Sequence, residues 1–107
     1  MKEARRVSDK IYTLEEIRAI AAPVAERYGI AALYLFGSYA RGEATAASDL
    51  DFRVEKGRLR SLFELAGLQI DLEERFDKEL DVLTTPMLSP EFLASIGPEE
   101  VLIYAQS

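Results

Sequence analysis

Leu14, Ile17, Ile20, Ala21, Val24 and Tyr28 recur at the spacing of one helical face, which predicts a helix over residues 13–28. Thr13 and Glu16 form a capping box at its start, with Tyr12 and Ile17 as the hydrophobic staple, and Gly29 stops it. Pro23 lies inside and is expected to bend the helix or remove one backbone hydrogen bond. Ile30 to Phe36, IAALYLF, is an almost unbroken apolar run and reads as a strand buried on both faces. Tyr39 to Gly42 fits a short helix and Glu43 to Ser48 a loop. Asp49 to Glu55 then alternates, with Leu50, Phe52 and Val54 on one face and Asp49, Asp51 and Arg53 on the other. A second helical region covers residues 58–76, its buried side assigned to Leu59, Leu62, Phe63, Ala66 and Ile70, with Gly67 weakening the middle. ELDVLT (79–84) is a third strand, setting Leu80 and Val82 opposite Asp81. Pro86 and Pro90 break the chain, and residues 91–104 are expected to form one or two short helices. The resulting order is α-β-α-β-α-β-α, a single α/β domain over 13–104. Residues 1–12 are a polar lead-in, expected to be partly disordered.

Composition removes whole classes of function. The chain has 107 residues, enough for one modest core, and 49% of them are hydrophobic, too many for a disordered segment. No apolar run approaches the roughly 20 residues that span a bilayer, and the amino terminus lacks the apolar stretch of a secretory signal. There are no cysteines and no histidines, which excludes a disulfide framework, thiolate metal sites, zinc hydrolysis and histidine bases within this chain. A metal must be held by oxygen, favouring magnesium or manganese. A cytoplasmic location is expected, with no membrane partner. The formal charge of −6 argues against direct DNA or RNA binding through a basic surface.

The candidate chemistry lies between Leu35 and Val54. Gly37-Ser38 follows the buried strand directly; the glycine lets phosphate approach the backbone and the serine offers a hydroxyl. After ten intervening residues Ser38 is followed by Asp49 and Asp51, whose side chains project from one strand face roughly 6.6–7 Å apart. Two like charges on one face repel unless a cation compensates them, and that spacing suits one or two magnesium ions. Asp81 faces the same pair if its strand lies beside theirs, and it would orient the attacking hydroxyl or accept its proton. Arg41 is placed to meet phosphate or an acidic neighbour.

Each element alone has a plainer reading. Gly-Ser is a common turn, Asp-x-Asp a solvated strand edge, and Arg41 a surface ion pair. Arg53, Lys56, Arg58 and Arg60 read as solvated charges near a turn, and Asp71, Glu73, Glu74 and Asp77 as solvated helix and turn charges. Phe36, Phe52, Phe63 and Phe76 fit core spacing. What accident does not readily supply is all of these motifs in strand–turn–helix–loop–strand order.

The segment GSYARGEATAASDLDFRVE resembles the signature of the minimal nucleotidyltransferases of the DNA polymerase β superfamily: Gly-Ser, ten residues, Asp-x-Asp. Gly37, Ser38, Asp49 and Asp51 match it, Arg41 and Gly42 match the usual Ala-Arg-Gly extension, and Asp81 matches the third strand carboxylate. The likeness runs from about Thr13 to Tyr104. It implies a polymerase β-like α/β (α+β) fold, a small mixed sheet with helices mainly on one face, with magnesium and a nucleoside triphosphate as ligands. Size and pattern resemble the MntA-type antitoxins, which transfer AMP from ATP to a tyrosine of a helical HEPN ribonuclease toxin. The resemblance thus implies a hetero-oligomer with such a toxin. The loop Ala44-Thr45-Ala46-Ala47 departs from the family, which often has a proline before the acidic pair; this is expected to alter loop stiffness rather than chemistry. Two other readings stay open: inhibition of the partner by occlusion alone, and nucleotidyl transfer to a small molecule or an RNA end. Nucleotide preference, the acceptor tyrosine and the number of AMP groups are not encoded legibly.

Overall fold

A computed structural model describes residues 9–107, so residues 1–8 of the expected lead-in lie outside the described residues. The elements are α1 (Leu14–Tyr28), β1 (Ala32–Phe36), α2 (Ser38–Arg41), β2 (Leu50–Glu55), α3 (Leu62–Phe76), β3 (Leu80–Thr84), α4 (Pro90–Ile96) and β4 (Val101–Ala105). Short 3-10 turns at Thr85–Met87 and Gly97–Glu99 flank α4. The strands form one mixed sheet in the order β3-β2-β1-β4. β1 pairs antiparallel with β2 and with β4, while β2 and β3 run parallel. A parallel pair needs a long crossover, and α3 supplies it.

Thr13 caps α1 through the reciprocal bonds with Glu16, and Gly29 closes it at φ 70°. Pro23 is accommodated inside a helix that runs unbroken past it. One face of the sheet meets α1 and α3: Leu33, Leu35, Leu50, Phe52, Val54, Leu80, Val82 and Ile103 join Ile17, Ala21, Val24, Leu65, Leu68, Leu72 and Phe76 in a single core. The Phe52 and Phe76 rings meet at 6.2 Å, and Tyr12 stands edge-on to Phe76 at 5.1 Å. The opposite face carries Tyr34, Asp51, Arg53 and Asp81, with α4 folded over the Phe36 end, where the Phe36 and Phe92 rings lie 5.7 Å apart.

Three expectations need correction. The second helix begins at Leu62 with Ser61 as its cap, not at residue 58, and it buries Leu65, Leu68, Leu72 and Phe76. Leu62, Phe63, Ala66 and Ile70 face solvent; Phe63 is 90% exposed. The helix carries two apolar stripes at helical spacing, and periodicity does not choose between them. Phe76, wedged between Phe52 and Tyr12, fixes the phase. Second, residues 101–105 form β4 rather than part of a helix. Val101 to Tyr104 is a short apolar run that suits either state until pairing with β1 decides it. Third, Arg53 is buried rather than solvated.

Candidate active site

β1 delivers the chain to Gly37, whose φ of 80° and ψ of −158° turn it sharply into α2. Only glycine occupies that backbone region easily. Space enforces the same choice: a Cβ on Gly37 would stand 2.4 Å from Oδ2 of Asp51. The elbow backbone therefore lies directly against the first carboxylate of β2. The Gly37 N–H donates to Oε2 of Glu99 at 2.8 Å. Arg41, at the end of α2, reaches Glu43 at 3.0 Å and Glu99 at 3.3 Å.

The loop from Gly42 to Ser48 returns the chain to β2. Ser48 holds it, its hydroxyl accepting from the Thr45 N–H at 2.9 Å and its own N–H bonding the Thr45 carbonyl at 3.0 Å. Lys78, only 3% exposed, donates to the Ala46 carbonyl at 2.9 Å and ties this loop to the start of β3. Those bonds stiffen a loop that has no proline.

Asp49 stands one residue before β2 and is exposed, Asp51 is half-buried within β2, and Asp81 is exposed on β3. The parallel register sets Asp51 directly beside Asp81. Burial pushes the Asp51 carboxyl up to about 6, with further raising from Asp81 and Asp49, an opposing pull from Arg41 and the smallest raising from Glu99. Asp51 is thus a partly desolvated acid facing like charges, an arrangement that a cation would relieve. The donor set is all oxygen, which suits a hard divalent ion. Among the described residues, no three acidic, His or Cys side chains converge closely enough to enclose a metal as they stand. The strands bring the three aspartates to one end of the sheet without forming a finished cage. A cavity of about 350 Å³ opens there, lined by Asp49, Gln69, Glu73, Glu79, Leu80 and Asp81.

Sequence reasoning missed the segment that covers the elbow. Glu99 on Gly37 and Arg41 has no motif around it. Its neighbour Glu100 accepts from Nε and Nη2 along one edge of the Arg53 guanidinium, at 2.6 and 3.0 Å. Arg53 also donates to Glu55 at 2.6 Å and Thr85 at 2.8 Å and lies 4.3 Å over the Tyr34 ring. The pattern marked Arg53 correctly as facing away from the core, but two of its partners, Thr85 and Glu100, lie 32 and 47 residues ahead, beyond any local signal.

Comparison with known proteins places this geometry. The family model described as polymerase beta, nucleotidyltransferase matches residues 15–107. A candidate protein adenylyltransferase of Methanocaldococcus jannaschii is 40% identical over 77 residues, covering 72% of this chain and 83% of that protein. Protein adenylyltransferase MntA of Thermococcus cleftensis is 32% identical over 95 residues, covering 85% and 96% respectively. Among solved structures, a candidate minimal nucleotidyltransferase superposes with a TM-score of 0.73 at 32% identity, over 84% of this chain and 95% of that one. The MNT antitoxin complex with a tri-AMPylated Shewanella oneidensis HEPN toxin gives 0.68 at 14% identity, covering 88% and 74%, a likeness of fold. No helix among the described residues is long and apolar enough to cross a membrane.

Proposed function

The chain belongs to the polymerase beta nucleotidyltransferase family, and on that premise we propose that it is an antitoxin that transfers AMP from ATP to a tyrosine of a partner HEPN-type ribonuclease. The reaction would take place in the cytoplasm, in a complex of the two proteins, with residues 13–104 as the transferase domain. One observation carries the reading: Gly37 lies against Asp51, and Asp51 lies in register beside Asp81. A phosphate-binding elbow and an acidic pair thereby share one corner of the sheet. The names of the relatives support the protein acceptor, and the fold shared with a toxin-bound antitoxin supports the partner class.

In this reading Asp49, Asp51 and Asp81 hold magnesium, which when bound neutralises the triphosphate and the leaving pyrophosphate. The elbow amides and the Ser38 hydroxyl orient the phosphates, and Arg41 offers its guanidinium to them. Asp81, the exposed member on the edge strand, orients the tyrosine hydroxyl and takes its proton. The tyrosine oxygen bonds to the α-phosphorus as the bond to pyrophosphate breaks.

The test combines the chain, ATP, magnesium and the helical protein encoded beside it. Intact mass spectrometry should show the partner gaining one or more AMP units, and the Asp49→Ala, Asp51→Ala double variant should abolish the gain. An unmodified partner at saturating ATP overturns the proposal. Full neutralisation of the partner by the double variant would favour occlusion instead. Product on a small molecule or RNA end without any protein would move the acceptor class.

A further inference from the structure

The apolar stripe that α3 turns outward runs beside two cavities that together outline a groove, the second of them at the carboxylates. β3 is an edge of the sheet, and α3 runs along it. Leu62, Gln69 and Glu73 share one side of α3 at helical spacing, and each lines a cavity against β3 or the turn after it. At one end, Leu62 and Leu65 meet Thr84 and the half-exposed Met87 around about 220 Å³, with Lys56 and Arg60 at the rim. At the other, Gln69 and Glu73 meet Asp49, Glu79 and Asp81 in the larger cavity described above. Along the helix from Leu62 to Glu73 come Ala66 and Ile70, which line neither cavity but face solvent beside them, Ile70 being 55% exposed and Leu62 74%. A run of large exposed apolar side chains on a chain this acidic marks a surface built for contact.

Charge separates the two ends. Lys56 and Arg60 are exposed, and neither side chain makes an ion pair among the described residues. Glu64, the nearest acid on α3, is turned onto the Arg60 backbone N–H instead. The far end carries four carboxylates, Asp49, Glu73, Glu79 and Asp81. From Leu62 to Glu73 the helix rises about 16 Å, the length of about five extended residues.

We infer that this groove seats the acceptor polypeptide. The occupant is an extended segment with an acidic side chain at the Lys56–Arg60 end and apolar side chains against Leu62, Ala66 and Ile70. Its hydroxyl-bearing residue reaches Asp81 about five positions away, with a basic neighbour beside Glu73 and Glu79. The inference rests on the reading that the acceptor is a protein. Opposed charges at the ends fix the register of the segment as well as its affinity.

Fluorescein-labelled nonapeptides test this by anisotropy with the full chain, AMP-PNP and magnesium. One has Tyr-Lys followed by apolar residues and Asp five positions from the tyrosine. Its isomer exchanges Lys and Asp, and both are made in each chain direction. In one direction the first peptide should bind at least tenfold tighter than its isomer. Lys56→Glu with Arg60→Glu should reverse that preference, and Leu62→Ser with Ile70→Ser should weaken both about tenfold. All four positions are exposed, so circular dichroism and nucleotide affinity should stay unchanged. Equal binding of the isomers, no binding at 1 mM, or variants that bind like the parent would overturn the groove. Tight binding without AMP on the tyrosine would leave the groove standing and count against the transfer.

Discussion

The backbone N–H of Gly37 donates to the Glu99 carboxylate at 2.8 Å, so the elbow amide proposed above to orient a phosphate is held by an acid of the same chain. Arg41, the nearest cation, spends itself on the same carboxylate at 3.3 Å. On the proposed function, a triphosphate entering the elbow would have to displace Glu99 from both. A net hydrogen bond is worth about 1 kcal/mol, or about fivefold in affinity. Glu99→Ala should therefore bind a fluorescent ATP analogue about fivefold tighter than the parent, read by titration at fixed magnesium. Weaker binding would make Glu99 a contributor to the nucleotide site instead of a competitor for it.

Asp51 sets the pH dependence. Its carboxyl is raised to about 6, above the value it would have in the unfolded chain, because burial and the neighbouring Asp81 disfavour the charged form. For a raised acid the folded state binds the proton more tightly, so ionisation costs stability above about pH 6 and costs none below about pH 4. Without metal, the midpoint of thermal unfolding should lose less between pH 5 and pH 7.5 in Asp51→Asn than in the parent. If Asp51 holds magnesium as proposed, the metal competes with the same proton, and its stabilisation of the parent should be larger at pH 7.5 than at pH 5.5. A parent and variant with parallel pH profiles would contradict this account.

Gly37 allows a sharper test of the corner. An alanine there meets both a φ of 80° and Oδ2 of Asp51 at 2.4 Å from its Cβ. Backbone strain of this kind costs about 1–3 kcal/mol, and the clash must move either the elbow or the carboxylate. Gly37→Ala should stay folded by circular dichroism, unfold at lower urea, and lose nucleotide binding by more than the stability change explains. Retained nucleotide affinity would show that the elbow does not approach the phosphates.

Local chemistry was the legible part of this chain. The capping box at Thr13 and Glu16, the αL glycine at Gly29 and the alternation from Leu50 to Val54 are short-range signals, and each appears where the pattern puts it. Period-2 alternation turned Asp51 and Asp81 away from the core and left their meeting conditional on strand pairing; the parallel register sets them side by side. What failed depends on distant partners. The outward stripe on α3 is as periodic as the buried one, and only contact with Phe52 and Tyr12 selects between them. β4 exists because β1 has an open edge to offer it. Glu99 and Glu100 follow a Gly-Pro turn with no repeating pattern, yet they reach the elbow and the sheet.

Arg53 links that late segment to the strand that carries Asp51. Its Nε and Nη2 grip Glu100, its Nη1 meets Glu55 and Thr85, and its plane covers the Tyr34 ring. Glu100 adjoins Glu99, so the same fork that anchors the turn also holds the carboxylate over Gly37. Both members of the Arg53–Glu100 pair are nearly buried, with side chains 11% and 12% exposed. Removing one partner from such a pair costs about 3 kcal/mol because the other charge is stranded. Arg53→Ala should lose about that much in urea unfolding, and Arg53→Lys should recover only part of it, since an ammonium cannot serve Glu100 with two parallel bonds. If the turn loosens as the geometry implies, the Gly37 amide should exchange its hydrogen faster in Arg53→Ala, as measured by proton–nitrogen NMR under conditions where the variant is fully folded. Unchanged exchange at Gly37 would show that Glu99 is held by Arg41 alone.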